Sequence, residues 1–562
     1  MLFLLRFALV NPAQAESFII NWGYYFPAFS SLLLVVSCLR LVRGSRLKSA
    51  VSEYWKAWGV CLLLTVLLHG FEEHRFKVVN DEYALLNTSM SMHAYGLSAL
   101  ARDANMLDGK IEHQEFMADK RSLLFQFLLS LVHDVSGYRP SNAFALNAFL
   151  TFALLLLLER ILRLTTGSSL LVYGGLLLAT SLPLVGWTAT SAGYDLLNSV
   201  LVYAFILAGI AYLEKPGPAR MDCLILVGLL LAQARYESLL YLPGMGCIIL
   251  LGWRKSRAVT ITPIAMVSPL FLIPSFLLNL YMFSDPEILG LLSGPESDTF
   301  MSAPLLLQNL QDALAFFILP GSSTLNSPVV FLAGIFGVWF LIHSLRAHRG
   351  LSGLKAVSVP LVLVIALSCA IFCIVVMAAH FWGQLTDPLA SRFALPVFVL
   401  LIPCFVFAVD RIGKRALELC IFAAALLLAS AQTAIRIQTD EVPCLNGASR
   451  LQHWILESAS SMPGRNLYIY QYTTGLVAFE KPAMRSVVAN AMPMAVLDSV
   501  EKYRYENVFA FGLWRQDPET GANIPIRGVI NPDENLFVME RVETHVFTKG
   551  FEGRLYRITG LR

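Results

Sequence analysis

About a dozen apolar runs, each near the roughly 20 residues that cross a bilayer, fill the chain between residues 17 and 436. Backbone placed in hydrocarbon must satisfy its own N–H and C=O groups, so runs of this kind fold as transmembrane helices. The 562 residues are 56% hydrophobic and only 14% charged. That is too little polar surface for a soluble protein of this size. The predicted spans are 18–40, 56–71, 143–163, 168–187, 196–213, 222–239, 240–253, 260–283, 328–345, 356–379, 394–409 and 416–436.

Charge orients them. The net charge of +3 says little, but its distribution alternates from loop to loop. One set of loops carries Arg40, Arg43, Arg46 and Lys48, then Arg160 and Arg163, then Lys215 and Arg220. The same set continues with Arg254, Lys255 and Arg257, then Arg346, Arg349 and Lys355, then Arg411, Lys414 and Arg415. The stretch 284–327 on the other side has no Lys or Arg but holds Asp285, Glu287, Glu296, Asp298 and Asp312. The positive-inside rule puts the basic set in the cytoplasm and both termini outside. Residues 1–10 are apolar but short and interrupted by Arg6, and Ala13-Gln14-Ala15 resembles a signal-peptidase site. Cleaved or uncleaved, the later orientation is the same, and we read it as uncleaved.

The domains follow. Residues 1–436 form a transmembrane domain with outer loops at 71–142 and 284–327, and 437–562 form a small α/β domain on the same outer side. Within the second loop, the apolar stretch 305–319 suits a helix lying along the membrane surface. In the C-terminal domain 451–461 reads as helix, and 466–472, 507–514, 535–542 and 554–559 read as strands. Of nine cysteines only Cys444 lies in this polar part, and no Cys/His metal spacing occurs. Cys369 and Cys373 read as buried small hydrophobes.

The first outer loop is the most informative. It opens with Asn80-Asp81-Glu82-Tyr83 directly outside a span and reads as a weakly amphipathic helix to about Arg102. A second helix is expected from Asp119-Lys120-Arg121 through His133, ending at Gly137-Tyr138-Arg139-Pro140. A plain account of the acids exists, because Asn80 suits a helix cap and carboxylates suit a first turn. It does not explain why acids stand at a membrane edge in a chain so poor in charge, where ionisable groups are costly and tend to serve a function.

Taken in order, these residues resemble the GT-C superfamily of membrane glycosyltransferases. They are Asp81-Glu82-Tyr83, Lys120-Arg121, Gly137-Tyr138-Arg139-Pro140, the Asn147-containing third span, Tyr194-Asp195, Arg235-Tyr236-Glu237 and Ser391-Arg392-Phe393. The likeness is to bacterial protein O-mannosyltransferases and lipid A aminoarabinose transferases. One departure is an apparent extra span before the acidic loop. The resemblance implies a mainly helical GT-C fold of about 12–13 transmembrane helices with an extracytoplasmic α/β domain. It implies a polyprenyl-phosphate sugar as donor, which suits a chain with no nucleotide-binding glycine-rich motif. The acceptor would be a lipid, glycan or protein hydroxyl, reached in the bacterial inner membrane at the extracytoplasmic face, with no nucleic acid involved.

On that resemblance Asp81 is the expected base, and Glu82 either positions it or helps bind a divalent cation such as Mg or Mn. A polyprenyl phosphate leaves well if its charge is met, and Lys120, Arg121, Arg235 and Arg392 are the expected phosphate-binding residues. Asp195 is the candidate second acid. A single displacement with one base would invert the anomeric carbon. The plainer readings are snorkelling for Arg235 and Arg392, a solvated helix end for Lys120 and Arg121, and a first-turn acid for Asp195. Glu237, two residues from Arg235, would not face it on a helix. Glu72, Glu73, His74, Glu112, His113 and Glu115 are metal-ligating types best read as solvated loop residues, and His380 as interfacial. Asp517, Glu519 and Asp533 read as turn residues.

The rivals are a flippase or other transporter, a late-loop polymerase or ligase, and a scaffold for a partner. Transporters favour symmetric halves and ionisable groups at mid-membrane. Here no repeat is visible, and the unpaired acids gather at the outer ends of spans.

Overall fold

The computed structural model describes residues 11–42, 47–282, 303–320, 325–347, 354–380, 383–438, 447–516, 523–525, 529–548 and 551–562. Cys444, Arg43, Arg46, Arg349, Asp517, Glu519 and the acids Asp285, Glu287, Glu296 and Asp298 lie outside these residues.

The chain is a mainly helical, multi-pass membrane protein. Among the described residues eight helices are long and apolar enough to cross a membrane, or ten if each of two bent pairs is one span. One pair, Pro12–Trp22 with Tyr25–Leu41, bends by 47°. The other, Ser169–Ser181 with Pro183–Ala189, bends by 69° at Pro183, whose ring cannot continue the hydrogen-bond ladder. The two remaining expected spans are present as the helices Leu47–Phe71 and Pro218–Ala234.

The sequence expectation fails between residues 96 and 118. The Val79–Tyr95 helix does not reach Arg102, because Gly96 closes it in the left-handed conformation at φ 68°. Strands β1 (Ala99–Leu107) and β2 (Lys110–Ala118) follow as an antiparallel hairpin. Its two-residue turn is Asp108-Gly109, both at positive φ (48° and 79°), which matches the twist of a tight hairpin. The second loop helix therefore starts at Leu124 and runs to Ser136.

The hairpin belongs to the C-terminal sheet, so that sheet does not begin at residue 437. The later strands are β3 (Asn466–Ile469), β4 (Ala483–Met484), β5 (Asn507–Gln516), β6 (Asn523–Pro525), β7 (Phe537–Thr548) and β8 (Phe551–Leu561). The order is β2-β1-β4-β3-β5-β8-β7, with β6 on β5 and Ala104 of β1 paired to Ala483 of β4. Asn87 fixes the hairpin to the Val79–Tyr95 helix by exchanging hydrogen bonds with the Ala101 backbone at 3.0 and 2.8 Å. Asp103 accepts from Arg485 at its backbone N and guanidinium, which locks the other side. Membrane bundle, acidic helix and sheet are thus one packed unit. The apolar stretch within the second loop is a helix, Ala303–Ile318, and its Asn309 donates to the carbonyls of Ala378 (2.9 Å) and His380 (2.8 Å).

Candidate active site

Chain direction alone places the key residues at one end of the bundle. Asp195 opens a helix that ends at Glu214 beside basic Lys215, and Arg235 closes the returning Pro218–Ala234 helix. Arg392 precedes Leu395–Ile412, which runs down to Arg411. All three sit opposite the basic loops, at the end where the acidic helix begins.

Asp81 lies in the first turn of the Val79–Tyr95 helix, with its side chain 19% exposed. Its Oδ1 accepts from Arg121, at 2.9 Å from Nε and 2.8 Å from Nη2, and its Oδ2 accepts from Arg392 Nη2. Arg121 is held on its far side by Asp119, at 2.6 Å from Nη1. Lys120 is close enough to act electrostatically on Asp81, Arg121 and Arg392. Burial favours a neutral Asp81, but Arg392, Arg121 and Lys120 outweigh it and hold the carboxyl well below the usual carboxylate range. Burial pushes the Lys120 amine down.

Arg235 shows where hydropathy misleads. The run 222–239 reads as one continuous span, but the helix stops at Ala234 and Arg235 is extended (φ −147°, ψ 145°) before the 3-10 turn Tyr236–Leu240. Because Arg235 is not helical, its guanidinium pairs with both Asp195 and Glu237, contrary to the helical spacing argument. Arg235 and Arg392 are 2% and 8% exposed, so neither snorkels. Tyr194 and Phe393 pack against the Arg235 guanidinium, each ring centre 4.7 Å away. Arg392 Nη1 stands 3.6 Å from Asp195 Oδ2.

Four acids (Asp81, Asp119, Asp195 and Glu237) thus meet four bases (Lys120, Arg121, Arg235 and Arg392) in one cluster. Beside it runs a narrow cleft whose walls include Asp195, Arg235, Glu237, Tyr241, Arg392 and Phe393. Arg235 Nη2 and Arg392 Nε and Nη1 are buried there without hydrogen-bond partners. Such donors are costly to leave unfilled.

Glu82 is adjacent in sequence but pairs with none of the cluster's guanidiniums. It is 0% exposed, and its Oε2 accepts from Lys77 N at 2.7 Å. Its Oε1 has no partner. Burial raises its pKa to about 7 against the backbone N–H groups of Lys77 and Val78. A Cβ at Gly193 would stand 3.4 Å from Glu82 Oε1 and 3.2 Å from Asp195 Oδ2, so glycine lets the two carboxylates flank this loop closely.

Lys77 was not singled out from sequence, yet it organises this side. It is 2% exposed and bonds Glu72 (2.9 Å), the Trp187 carbonyl (3.0 Å) and Thr190 Oγ1 (2.6 Å). Asn147, from the third span, donates to the carbonyls of Ser191 (2.6 Å) and Gly193 (3.1 Å). Together they fix the loop that delivers Asp195.

All the expected site residues except Glu82 thus lie in one charged cluster, with Glu82 beside it. The other metal-ligating types are dispersed. His74 meets His69, His113 meets Tyr95, and Glu115 pairs with Arg485. Among the described residues no three His, Cys, Asp or Glu side chains converge as a metal ion would need. The site acids are turned onto guanidiniums, so this donor set does not suit Mg or Mn as it stands.

No family model matches the sequence, and no curated protein matches it. Solved structures do. The crystal structure of ArnT from Cupriavidus metallidurans bound to undecaprenyl phosphate aligns over 90% of this chain and 98% of its own, with TM-score 0.50 and 12% identity. Arabinofuranosyltransferase AftD from Mycobacteria aligns over 90% of this chain and 40% of its own, with TM-score 0.41 and 13% identity. Arabinosyltransferase EmbB from Mycobacterium smegmatis aligns over 92% and 50%, with TM-score 0.36 and 12% identity. The first of these establishes the fold.

Proposed function

Proceeding from a chain that has the GT-C fold, we propose that it is a membrane glycosyltransferase. It moves a sugar from a polyprenyl-phosphate carrier to an acceptor hydroxyl of a lipid, glycan or protein. One observation carries this reading. A carboxylate at the end of the bundle opposite the basic loops is shared by two buried guanidiniums, one of which lines a cleft with unpartnered N–H donors. That pairing of a base with an anion-binding surface is what sugar transfer from a lipid phosphate requires. The ArnT structure holds undecaprenyl phosphate, which supports a polyprenyl phosphate as the lipid partner.

The chemistry balances simply. Asp81 takes the acceptor's hydroxyl proton, the acceptor oxygen forms its bond to the anomeric carbon, and the bond from that carbon to the phosphate oxygen breaks. The electron pair leaves with the phosphate, whose charge is met by guanidiniums of the cluster. Attack opposite the leaving phosphate inverts the anomeric carbon. Glu82, which accepts from the Lys77 backbone and flanks the loop carrying Asp195, acts as a positioning residue. The distribution of Lys and Arg among the loops supports an extracytoplasmic site and C-terminal domain in a bacterial inner membrane.

Asp81→Asn tests this. Purified protein in nanodiscs, given a polyprenyl-phosphate sugar and acceptor-containing membrane extract, should lose transfer by about 10²–10⁴-fold, with insertion and yield unchanged. Turnover near the wild-type rate would remove Asp81 as the base. Movement of the lipid across the bilayer, undiminished by the change and without any transfer, would favour a flippase.

A further inference from the structure

We propose, resting on the donor chemistry above, that Arg392 is shared in turn between Asp81 and the donor phosphate, so that the base is released only when the site is loaded. Both Asp81 oxygens are engaged, Oδ1 by Arg121 and Oδ2 by Arg392. A carboxylate held at both oxygens by guanidiniums is a poor proton acceptor. Catalysis therefore needs one of these contacts to be exchanged.

The geometry distinguishes which. Arg121 is clamped between Asp81 and Asp119 and does not line the cleft. Arg235 lines it but is tied to Asp195 and Glu237, not to Asp81. Only Arg392 both bonds Asp81 and lines the cleft, where its Nε and Nη1 have no hydrogen-bond partner. A phosphate oxygen entering there meets these two donors and Arg235 Nη2. Guanidinium and phosphate pair in a two-pronged geometry that a single-point contact to Asp81 does not match. The four acids and four bases already balance, so an added anion competes with the carboxylates for the same cations. Arg392 is the cation placed to change partner.

The groups around Asp81 set the consequence. Lys120, Arg121 and Asp119 approach from the turn after β2, Arg392 from the turn before Leu395, and Tyr194, Asp195 and Tyr236 from the membrane helix ends. Turning Arg392 toward phosphate removes the largest positive influence on Asp81 and brings a negative charge nearer. Its proton affinity rises at the moment the acceptor must be deprotonated. Donor binding then precedes productive acceptor binding.

The test uses the full chain in phosphatidylethanolamine–phosphatidylglycerol nanodiscs with undecaprenyl phosphate as probe. Asp81→Asn removes the competitor for Arg392, so the probe should bind roughly 3- to 10-fold more tightly even as transfer is lost. Equal or weaker binding by a folded variant overturns the proposal. The wild-type pH profile provides a second readout that needs no variant. The acid limb of kcat, which reports the loaded enzyme, should lie at higher pH than the acid limb of kcat/KM for donor, which reports the free enzyme. Coincident limbs overturn the exchange while leaving the transferase reading intact. Failure of the wild type to bind the probe at all would instead remove the donor assignment on which both rest.

Discussion

Replacing Glu82 with Gln should make the protein more stable at alkaline pH, an unusual outcome for a change inside a charged site. The side chain is 0% exposed, and burial raises its pKa from the ordinary 4.5 to about 7. A carboxyl with a higher pKa folded than unfolded holds its proton better in the folded state. The wild type therefore carries no penalty below about pH 4.5, weakens as pH climbs toward 7, and bears the full penalty above that. The gap between 4.5 and about 7 corresponds to about 3 kcal/mol at full ionisation. Gln keeps an acceptor for the Lys77 N–H and places an amide where Oε1 has no partner. Unfolding by SDS titration in mixed micelles at pH 5 and pH 8 measures the effect. The two proteins should agree closely at pH 5, and the Gln variant should lead by about 3 kcal/mol at pH 8. Transfer should persist at a reduced rate, because Glu82 bonds the Lys77 backbone and none of the guanidiniums of the cluster. Parallel pH profiles, or a Gln variant weaker at both pH values, would refute the claim that a buried carboxyl with one unpartnered oxygen sits there.

Lys77→Met should remove the hydrogen bonds to the Trp187 carbonyl and the Thr190 hydroxyl and the ion pair with half-buried Glu72. It should cost roughly 3 kcal/mol in the same titration and lower kcat more than it raises KM. Gly193→Ala puts a methyl 3.2 Å from Asp195 Oδ2 and 3.4 Å from Glu82 Oε1, close enough that Asp195 must give by a few tenths of an ångström. Transfer should fall about tenfold as Asp195 shifts, and steady-state kinetics showing no change would mean that the loop gives way freely. Arg485→Ala unlocks β1 by removing the pairs with Asp103 and Glu115. Limited proteolysis should then cut at the Asp108-Gly109 turn sooner than in the wild type.

What sequence could show here depends on how scarce each signal was. In a chain 14% charged, charges at span ends stand out, so Asp81, Arg121, Asp195, Arg235 and Arg392 were visible although up to 311 residues separate bonded partners. Their pairing was not visible, because that depends on which helix ends meet. Arg235 with Glu237 is the sharpest case, since the helical spacing rule fails where the helix itself breaks. The hairpin was legible and missed. Asp108-Gly109 between alternating segments is a strong local turn signal, but the helical reading of the upstream acidic run was carried too far. Lys77 was hidden for a different reason. Its partners Trp187 and Thr190 lie 110 and 113 residues away, and one of them is a backbone carbonyl that no residue type announces. A lysine near a membrane edge therefore reads as solvated until the loop that buries it is in place. The buried lysine, the orphaned glutamate oxygen and the crowded glycine all bear on the single loop that presents Asp195. The least legible residues are thus those that fix the site's geometry, while the legible ones supply its charge.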